Sequence, residues 1–223
     1  MIAIIAAMNE EVNAFKDLMA DCRLDDNGFY LGKINNKEVV LAKSGIGKVE
    51  AAITVTRLYY LYDLSLIINI GSAGALKDNI AIGDVVIGSD IAFYDVEVPD
   101  WPKGFDQDVT CYHGDRALLS RVKEIKTDLN CHYGPMVSGD TFVCNDSQVD
   151  KILKEFPEAL CVEMEAASIA KTATYFKLPF LIFRSISDIT IKEGNEVDFD
   201  IFLVTASKNS ASFTAKIIKE LDI

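Results

Sequence analysis

Two acidic residues in the second half of the chain follow predicted strands, at positions where acids can meet a bound ligand. Glu165 comes soon after the apolar run 159–162, and Asp188 ends the apolar run 180–186. Ligands of open α/β sheets bind beyond the carboxyl ends of the strands, so we expect both acids at one cleft. Met164 adds an apolar surface beside them. Paired carboxylates of this kind suit acid–base chemistry.

Other catalytic arrangements are poorly supported by the sequence. His113 and His132 are the only imidazoles, and the chain has neither a G-x-S-x-G nor an H-E-x-x-H motif. In residues 45–49 (GIGKV) the spacing before the lysine is too short for a phosphate loop, and Val49 stands where a serine or threonine would bind magnesium. Residues 71–74 (GSAG) lack the G-x-G-x-x-G pattern of dinucleotide sites. Any acid–base work therefore falls to carboxylates.

The amino-acid composition indicates which kinds of binding partner and which cellular compartment suit this chain. A formal net charge of −12 argues against a nucleic acid or an anionic membrane surface, because both require a basic face. The five cysteines are odd in number and form no C-x-x-C pair, which indicates reduced thiols in a cytoplasm. We expect no metal, no cofactor, no signal peptide and no membrane helix. A small-molecule ligand fits this composition best.

Apolar strand-like runs alternate with helical patterns along the whole chain. This alternation predicts an α/β fold in which helices cover both faces of a parallel or mixed sheet, as one domain spanning residues 1–223. Asn9 is expected to cap the first helix, and Asn35-Asn36 to form a hairpin turn. Strands are predicted at 2–7, 31–34, 39–43, 66–70, 84–88, 91–98, 135–138, 160–162 and 180–186, and the later helices at 48–62, 115–129, 148–156, 164–176 and 198–221.

Six short segments, in order along the chain, resemble one known family. They are AMNEEV (7–12), SGIGKV (44–49), NIGSAG (69–74), SGDTF (138–142), VEMEA (162–166) and RSISD (184–188). Together they look like the 5′-methylthioadenosine/S-adenosylhomocysteine nucleosidases. The resemblance implies a nucleoside phosphorylase-like three-layer α/β/α fold with a central mixed sheet, usually a homodimer. It also implies hydrolysis of the N-glycosidic bond of an adenine nucleoside, with 5′-deoxyadenosine as a further substrate.

The chemistry of that reaction can be matched to the acids of this chain. Breaking the C1′–N9 bond leaves positive charge on the ribose and negative charge on the purine, so an acid is needed beside the base. Asp188 is the family's general acid by resemblance, and partial desolvation would favour its neutral form. Glu11 matches the family's base that activates water, and its place in the first turn of a helix favours the ionised form. Ser187 is expected to support Asp188.

The remaining site residues are also implied by the resemblance. Glu165 would accept hydrogen bonds from the two vicinal ribose hydroxyls, with Met164 beneath the sugar. Phe142 would stack on adenine, and the backbone of Val143 would contact the edge of the base. The same pocket is expected to include Met8, Ile46, Ser72, Ala73, Val98, Glu163 and Phe199.

The chain departs from the family pattern in two places. Asn9 stands where relatives usually have glutamate, next to the predicted base. At residues 99–104, relatives typically carry a longer stretch containing Phe-Gly-Tyr-x-Tyr-Gly-Gln that closes the 5′ pocket from the neighbouring subunit. Here that part is expected to fall to Val98, Trp101, Pro102 or Phe105. The sequence therefore leaves the preference among 5′ substituents open.

Other interpretations of the same residues remain at this stage. Taken singly, Glu11, Glu165 and Asp188 are more often structural acids than catalysts, and only the colinear match outweighs this. We expect Arg184 to form an ion pair with an acid such as Glu163. A phosphorylase of the same superfamily would need arginines around a phosphate, and this chain has few. A non-catalytic nucleoside-binding module would be expected to lack Glu11 or Asp188.

Overall fold

The computed structural model describes residues 1–100, 103–105, 111–190 and 195–221. The strands are β1 (Ile2–Ala6), β2 (Ala20–Leu24), β3 (Tyr30–Ile34), β4 (Lys37–Lys43), β5 (Leu66–Ala75), β6 (Val85–Phe93), β7 (Cys111–His113), β8 (Cys131–Ser138), β9 (Cys161–Glu163) and β10 (Phe180–Ile189). The helices are α1 (Asn9–Lys16), α2 (Lys48–Leu61), α3 (Arg116–Glu124), α4 (Asp146–Glu155), α5 (Ala166–Tyr175) and α6 (Asn195–Glu220). None of the described helices is both long enough and apolar enough to cross a bilayer.

All strands of the described residues join one ten-stranded mixed sheet, as the sequence predicts. From β5 the sheet continues through β1, β4 and β3 to β2. On its other side, β5 pairs with both β9 and β10, while β10, β6, β8 and β9 pair in turn. Strands β5, β10, β6, β8 and β9 therefore close into a ring. This closure was not predicted, because hydrophobic patterns identify strands but not their neighbours.

The ring brings distant parts of the sequence together at one end of β5. Residues 71–75 of β5 pair with residues 184–189 of β10, and Gly74 and Ala75 also pair with Val162 and Cys161 of β9. The register between β5 and β10 shifts between Ile186 and Asp188. Such irregularities redirect side chains and are common beside active sites. The ends of β5, β9 and β10 thus lie side by side.

Helices pack on both faces of the sheet, so the three-layer α/β/α arrangement is confirmed. On one face, Val55 and Leu58 of α2 and Ile169 of α5 belong to one buried apolar cluster. On the other face, Phe15 of α1 and Ile217 of α6 belong to a second cluster. Buried apolar area of this kind contributes roughly 25 cal/mol per Å² to folding, so these clusters fix the strand ends in place.

Of two local predictions, one is confirmed and one is wrong. Asn35 and Asn36 join β3 to β4 with positive φ values of 47° and 66°, as expected for the predicted hairpin. Asn9 does not cap α1, because the N-cap position is occupied by Met8. The Asn9 side chain instead accepts a hydrogen bond from Lys43 Nζ at 2.9 Å.

Strand lengths differ from the sequence prediction where small residues interrupt an apolar run. Strand β5 continues through the glycine-containing residues 71–75, and the predicted strands 84–88 and 91–98 are a single strand, β6. Strand β10 extends to Ile189, so Asp188 lies within the strand instead of after it. Strands β2 and β7 were not predicted, because β2 is exposed and β7 has only three residues.

Candidate active site

A cavity of about 350 Å³ lies at the ends of β1, β5, β9 and β10. The predicted site residues that line it are Met8, Glu11, Ile46, Ser72, Ala73, Phe142, Val143, Glu163, Met164, Glu165, Ser187, Asp188 and Phe199. It is also lined by Ala7, Ile70, Gly71, Gly74, Thr141, Val162, Arg184 and Thr190. The fold therefore brings the predicted acids from both ends of the sequence to one cavity.

Glu11 is held rigidly at the start of α1. Its Oε2 accepts hydrogen bonds from the backbone N–H groups of Ala7 and Met8, at 2.9 and 3.0 Å. Its Oε1 accepts from the backbone N–H of Ser72 at 3.0 Å and from the Ser72 hydroxyl at 3.2 Å. Glu11 is 3% exposed. It is thus fixed as an acceptor between β1 and β5, facing the cavity.

One of these hydrogen bonds can exchange for a water molecule. A carboxylate has about four lone-pair positions, and the donors from Ala7, Met8 and Ser72 fill them. The Ser72 hydroxyl makes the longest of these bonds and can rotate, whereas the backbone donors cannot. Rotation of this hydroxyl would free one lone pair of Glu11 toward the cavity without moving the backbone.

Gly71 explains how closely Glu11 approaches β5. A Cβ atom at this position would lie 3.0 Å from Glu11 Oε1 and 3.4 Å from Arg184 Nη1. A side chain would therefore press on both charged groups. Gly71 is thus needed for close packing of β5 against Glu11.

Asp188 is almost fully buried, with an exposure of 2%. The Ser187 hydroxyl lies 2.8 Å from Asp188 Oδ1 and 3.3 Å from the carbonyl oxygen of Ala73. The hydroxyl has one hydrogen, and the shorter contact favours its donation to Asp188. A Cβ atom at Gly74 would lie 2.9 Å from Asp188 Oδ2 and 2.5 Å from Thr190 Cγ2, so only glycine leaves room for the acid.

Glu165 lies at the N-cap position of α5 and is also buried. Its Oε1 accepts a hydrogen bond from the backbone N–H of Gly47 at 2.8 Å, and its Oε2 lies 3.9 Å from Arg184 Nη2. Burial and, next to it, the charge of Glu163 raise the pKa of Glu165 to about 8, although Arg184 and the Gly47 N–H act in the opposite direction. Glu165 therefore titrates close to neutral pH in the free protein.

Glu163 is occupied by contacts within the protein. Its Oε2 accepts from the backbone N–H groups of Glu165 and Ala166, at 2.9 and 2.8 Å, and from Arg184 Nη2 at 2.5 Å. Its Oε1 accepts from the Ser138 hydroxyl, which in turn accepts from the backbone N–H of Ala167 at 2.8 Å. These contacts satisfy the first N–H groups of α5. They orient the backbone that carries Glu165.

Arg184 forms the ion pair with Glu163 that the sequence led us to expect. The guanidinium is 1% exposed, and its Nη2 also donates to Asn69 Oδ1 at 2.5 Å. Asn69 donates in turn to the carbonyl oxygen of Ile5 at 2.9 Å. The charges of Glu163 and Glu165 keep the pKa of Arg184 above its ordinary value, against the effect of burial. This network joins β1, β5, β9 and β10 beneath the cavity.

Sequence reasoning did not assign roles to Gly47, Ser138 and Asn69. Each lies in one of the segments that carry the family resemblance, which was the available signal. Gly47 has a φ of 97°, and a Cβ atom there would lie 2.9 Å from Asp140 Oδ1. Glycine is therefore favoured at the turn that presents its N–H to Glu165.

The apolar part of the cavity is formed by aromatic side chains. Phe142 and Phe199 are in edge-to-face contact, with ring centroids 5.5 Å apart and an interplanar angle of 75°. Phe142 is 40% exposed, so one face of its ring remains accessible to a planar ligand. Met164 and Val143 line the same cavity.

The residues expected to close the 5′ pocket do not all reach this cavity. Val98 is 38% exposed and does not line the cavity of its own chain. Phe105 is in edge-to-face contact with Phe156, at 5.2 Å, and is likewise absent from the cavity wall. Trp101 and Pro102 lie outside the described residues.

Within the described part of the chain, Arg184 is the only cationic side chain that lines the cavity. Its Nη2 atom is already engaged by Glu163 and Asn69. Three acids, Glu11, Glu163 and Glu165, therefore surround one guanidinium. Such a surface favours a ligand that develops positive charge and opposes a bound phosphate.

Comparison with known proteins agrees with this site. The family description "Phosphorylase superfamily" matches residues 1–219. A 5′-methylthioadenosine/S-adenosylhomocysteine nucleosidase of Staphylococcus haemolyticus is 39% identical, with 99% of this chain and 100% of that protein aligned. The crystal structure of the Neisseria meningitidis nucleosidase, in complex with methylthio-immucillin-A, has a TM-score of 0.90 at 37% identity and covers 99% of both chains.

A second solved structure is similar over nearly its whole length. The nucleosidase of Colwellia psychrerythraea, in complex with adenine, has a TM-score of 0.89 at 30% identity, covering 97% of this chain and 93% of that one. Fold, cavity and sequence thus agree. The chain belongs to the phosphorylase superfamily and, within it, to the 5′-methylthioadenosine/S-adenosylhomocysteine nucleosidases.

Proposed function

We propose that this protein hydrolyses the N-glycosidic bond of 5′-methylthioadenosine and S-adenosylhomocysteine, releasing adenine and the 5-substituted ribose. The observation that carries the proposal is that Glu11 and Asp188, both buried, line one cavity together with Glu165. The similar nucleosidases of Staphylococcus haemolyticus and Neisseria meningitidis are named for these two substrates. 5′-Deoxyadenosine is a further candidate substrate, because it carries the same bond and base.

Asp188 is proposed as the general acid. As the C1′–N9 bond breaks, its electron pair moves onto the purine, and a proton from Asp188 to N7 neutralises the leaving group. Ser187 positions the acid through its contact with Oδ1. General acids of this kind accelerate reactions by roughly 10² to 10⁴.

Glu11 is proposed as the base that activates water. It removes a proton from the water that attacks C1′, after the Ser72 hydroxyl has turned away from Oε1. Division of labour between an acid and a base on opposite faces of a sugar is the pattern of inverting glycosidases. The oxygen of the water becomes the hydroxyl at C1 of the ribose product.

Glu165 is proposed to bind the ribose hydroxyls. Its Oε1 is held by the Gly47 N–H, while Oε2 has its nearest cation 3.9 Å away and retains acceptor capacity. Met164 would pack beneath the sugar, with Phe142 and Phe199 against the base and Val143 at its edge. Glu163, which lines the same cavity, is proposed to position Glu165 through the start of α5.

Hydrolysis is favoured over phosphorolysis by the charge of the site. The single cavity-lining arginine of the described residues is paired with Glu163, and Glu11 occupies the nucleophile's side. A non-catalytic nucleoside-binding module is disfavoured, because the cavity retains both Glu11 and Asp188. Incubation with 5′-methylthioadenosine, with and without phosphate, separates the three: phosphate-independent adenine release supports hydrolysis. Strict phosphate dependence supports a phosphorylase, and binding without turnover supports a binding module.

We further propose that the active form is a cytoplasmic homodimer. Val49 and Ile53, one turn apart on α2, are 68% and 49% exposed, and Ile46 beside the cavity is 56% exposed. An apolar patch at the mouth of a site is suited to coverage by a second copy. Val98 and Phe105 would then serve the neighbouring cavity. Sedimentation of the protein and of Ile53→Asp tests this arrangement, since a monomeric wild-type protein contradicts it.

The described thiols support the cytoplasmic location. None of the five cysteines forms a disulfide, and Cys22 and Cys144 are exposed. Exposed thiols persist in reducing compartments and become oxidised outside them.

A further inference from the structure

Three metal-ligating side chains meet away from the cavity, at the pairing of β6 with β7. His113 is the direct cross-strand partner of Asp90, and Cys111 that of Ala92. Cross-strand partners share a face of the sheet, as do residues two apart on one strand. Asp90, Cys111 and His113 therefore project from one face, and their ligand atoms all lie within 4.8 Å of one another.

The donor set is that of a zinc-class ion. A thiolate, an imidazole and a carboxylate are the three ligand types that zinc takes in proteins, with water completing a tetrahedron. A sulfur ligand excludes magnesium and calcium, which prefer oxygen alone. Cys111 is 3% exposed, whereas the side chains of Asp90 and His113 are 34% and 43% exposed. An ion would thus enter from solvent and reach the thiol at the base of the site.

The ligands are already oriented by their neighbours. The Ser89 hydroxyl donates to Asp90 Oδ2 at 2.6 Å, which directs Oδ1 toward His113 Nδ1 at 2.6 Å. Contacts of this kind to the outer oxygen of a ligating carboxylate are typical of metal sites. Ligand atoms around tetrahedral zinc are roughly 3.3 to 3.7 Å apart, as follows from its bond lengths. Binding therefore requires Oδ1 and Nδ1 to separate by about 1 Å.

We propose that Asp90, Cys111 and His113 bind one divalent zinc-class ion and so fasten the three-residue strand β7 to β6. The ion replaces the Cys111 thiol proton, which passes to solvent, so affinity rises with pH. It also takes the place of the hydrogen between Asp90 and His113 Nδ1, which moves to Nε2 of the neutral imidazole. The sequence alone does not predict the site, because Asp90 reaches the other two residues only through strand pairing.

Cobalt(II) is the most direct probe, because a thiolate bound to cobalt produces a charge-transfer absorption that oxygen and nitrogen ligands do not. The reduced, metal-free full-length protein is titrated with cobalt(II) and then with zinc(II). We expect one equivalent of cobalt to produce the band, and zinc to abolish it. Asp90→Asn and His113→Ala, both exposed positions, should each weaken zinc binding by at least about 100-fold.

Cys111→Ser should remove the band, and Cys144→Ser, at an exposed thiol elsewhere, should leave it unchanged. Absence of the band in the wild-type protein overturns the proposal. So does a band that survives Cys111→Ser or disappears with Cys144→Ser. None of these residues lines the catalytic cavity, so adenine release should be unchanged in Asp90→Asn. The titration needs no substrate, so its result does not depend on the proposed hydrolase activity.

Discussion

Arg184 Nη2 donates to Glu163 Oε2 at 2.5 Å, and both side chains are buried beneath the catalytic cavity. The same guanidinium nitrogen lies 3.9 Å from Glu165 Oε2. One cation thus lies beside two acids. Once Glu165 is ionised, the balance of the three groups is negative, so the cavity then stabilises the positive charge that develops on a ribose as its glycosidic bond breaks.

Because Arg184 is the cation of this buried ion pair, we expect its removal to lower the free energy of unfolding substantially. Arg184→Met would leave Glu163 and Glu165 buried without a compensating charge, so we expect a loss of about 3 to 5 kcal/mol in the free energy of unfolding. Arg184→Lys keeps the charge but replaces the planar guanidinium whose Nη2 contacts Asn69 and Glu163, and should lose less. Urea unfolding measures both. A loss below 1 kcal/mol for Arg184→Met would show that the pair does not hold the site together.

The proposed contact between Glu165 and the ribose hydroxyls can be tested by changing each side of it in turn, the residue in a variant and the hydroxyl in a substrate analogue. Glu165→Gln should weaken capture of 5′-methylthioadenosine as well as slow turnover, by about 1.5 to 3 kcal/mol in kcat/KM for a lost charged hydrogen bond. In this variant, the penalty for a 3′-deoxy substrate should shrink. Steady-state kinetics of both enzymes with both substrates measure the coupling. If the losses in kcat/KM from Glu165→Gln and from the 3′-deoxy substrate simply add, Glu165 does not contact the hydroxyls.

Glu165 should also make the free protein less stable as pH rises. Its pKa is raised from 4.5 to about 8 by burial, so the folded state binds the proton more tightly than the unfolded state. The resulting stabilisation is complete below the unfolded pKa and is lost as pH rises through about 8. We therefore expect the Tm of the wild-type protein to fall relative to that of Glu165→Gln as pH rises from 5 to 8.5. Thermal unfolding of both proteins across this pH range measures the difference. A constant Tm difference would contradict the shift.

Asp188→Asn should separate chemistry from binding. The amide cannot donate a proton to the leaving purine, so we expect turnover to fall by about 10² to 10⁴ while affinity for a non-hydrolysable analogue largely survives. Ser187→Ala, which removes only the supporting hydroxyl, is the matched control and should cost less. Adenine release and calorimetric binding supply the two readouts. Near-normal turnover by Asp188→Asn would remove this residue from the mechanism.

The sequence predicts much of the fold because most core strands are uninterrupted apolar runs. β1 and the first half of β5 are examples, and the helix pattern at α2 is equally clear. The closed ring is beyond such patterns, because it depends on β5 pairing with both β9 and β10. The edge strand β2 is exposed along its length and therefore lacks any apolar signature.

The sequence predicts which residues line the site better than it predicts what each of them contacts. The colinear segments brought Glu11, Glu165 and Asp188 into one hypothesis, and the three line one cavity. Sequence could not show that Glu163 is saturated by Ser138, Arg184 and the start of α5. Hydrogen-bond partners depend on the direction in which each side chain points within the ring. The sequence does not reveal this direction for two nearby acids such as Glu163 and Glu165.

In the proposed mechanism, a water molecule that is activated by Glu11 attacks C1′ of the ribose. The most direct test is a reaction with 5′-methylthioadenosine in ¹⁸O-enriched water containing excess phosphate, with mass analysis of the pentose product. We expect one ¹⁸O atom at C1 of freshly formed product, before exchange with solvent, and a much slower reaction for Glu11→Gln. A pentose 1-phosphate without the label, or full activity in Glu11→Gln, would contradict it.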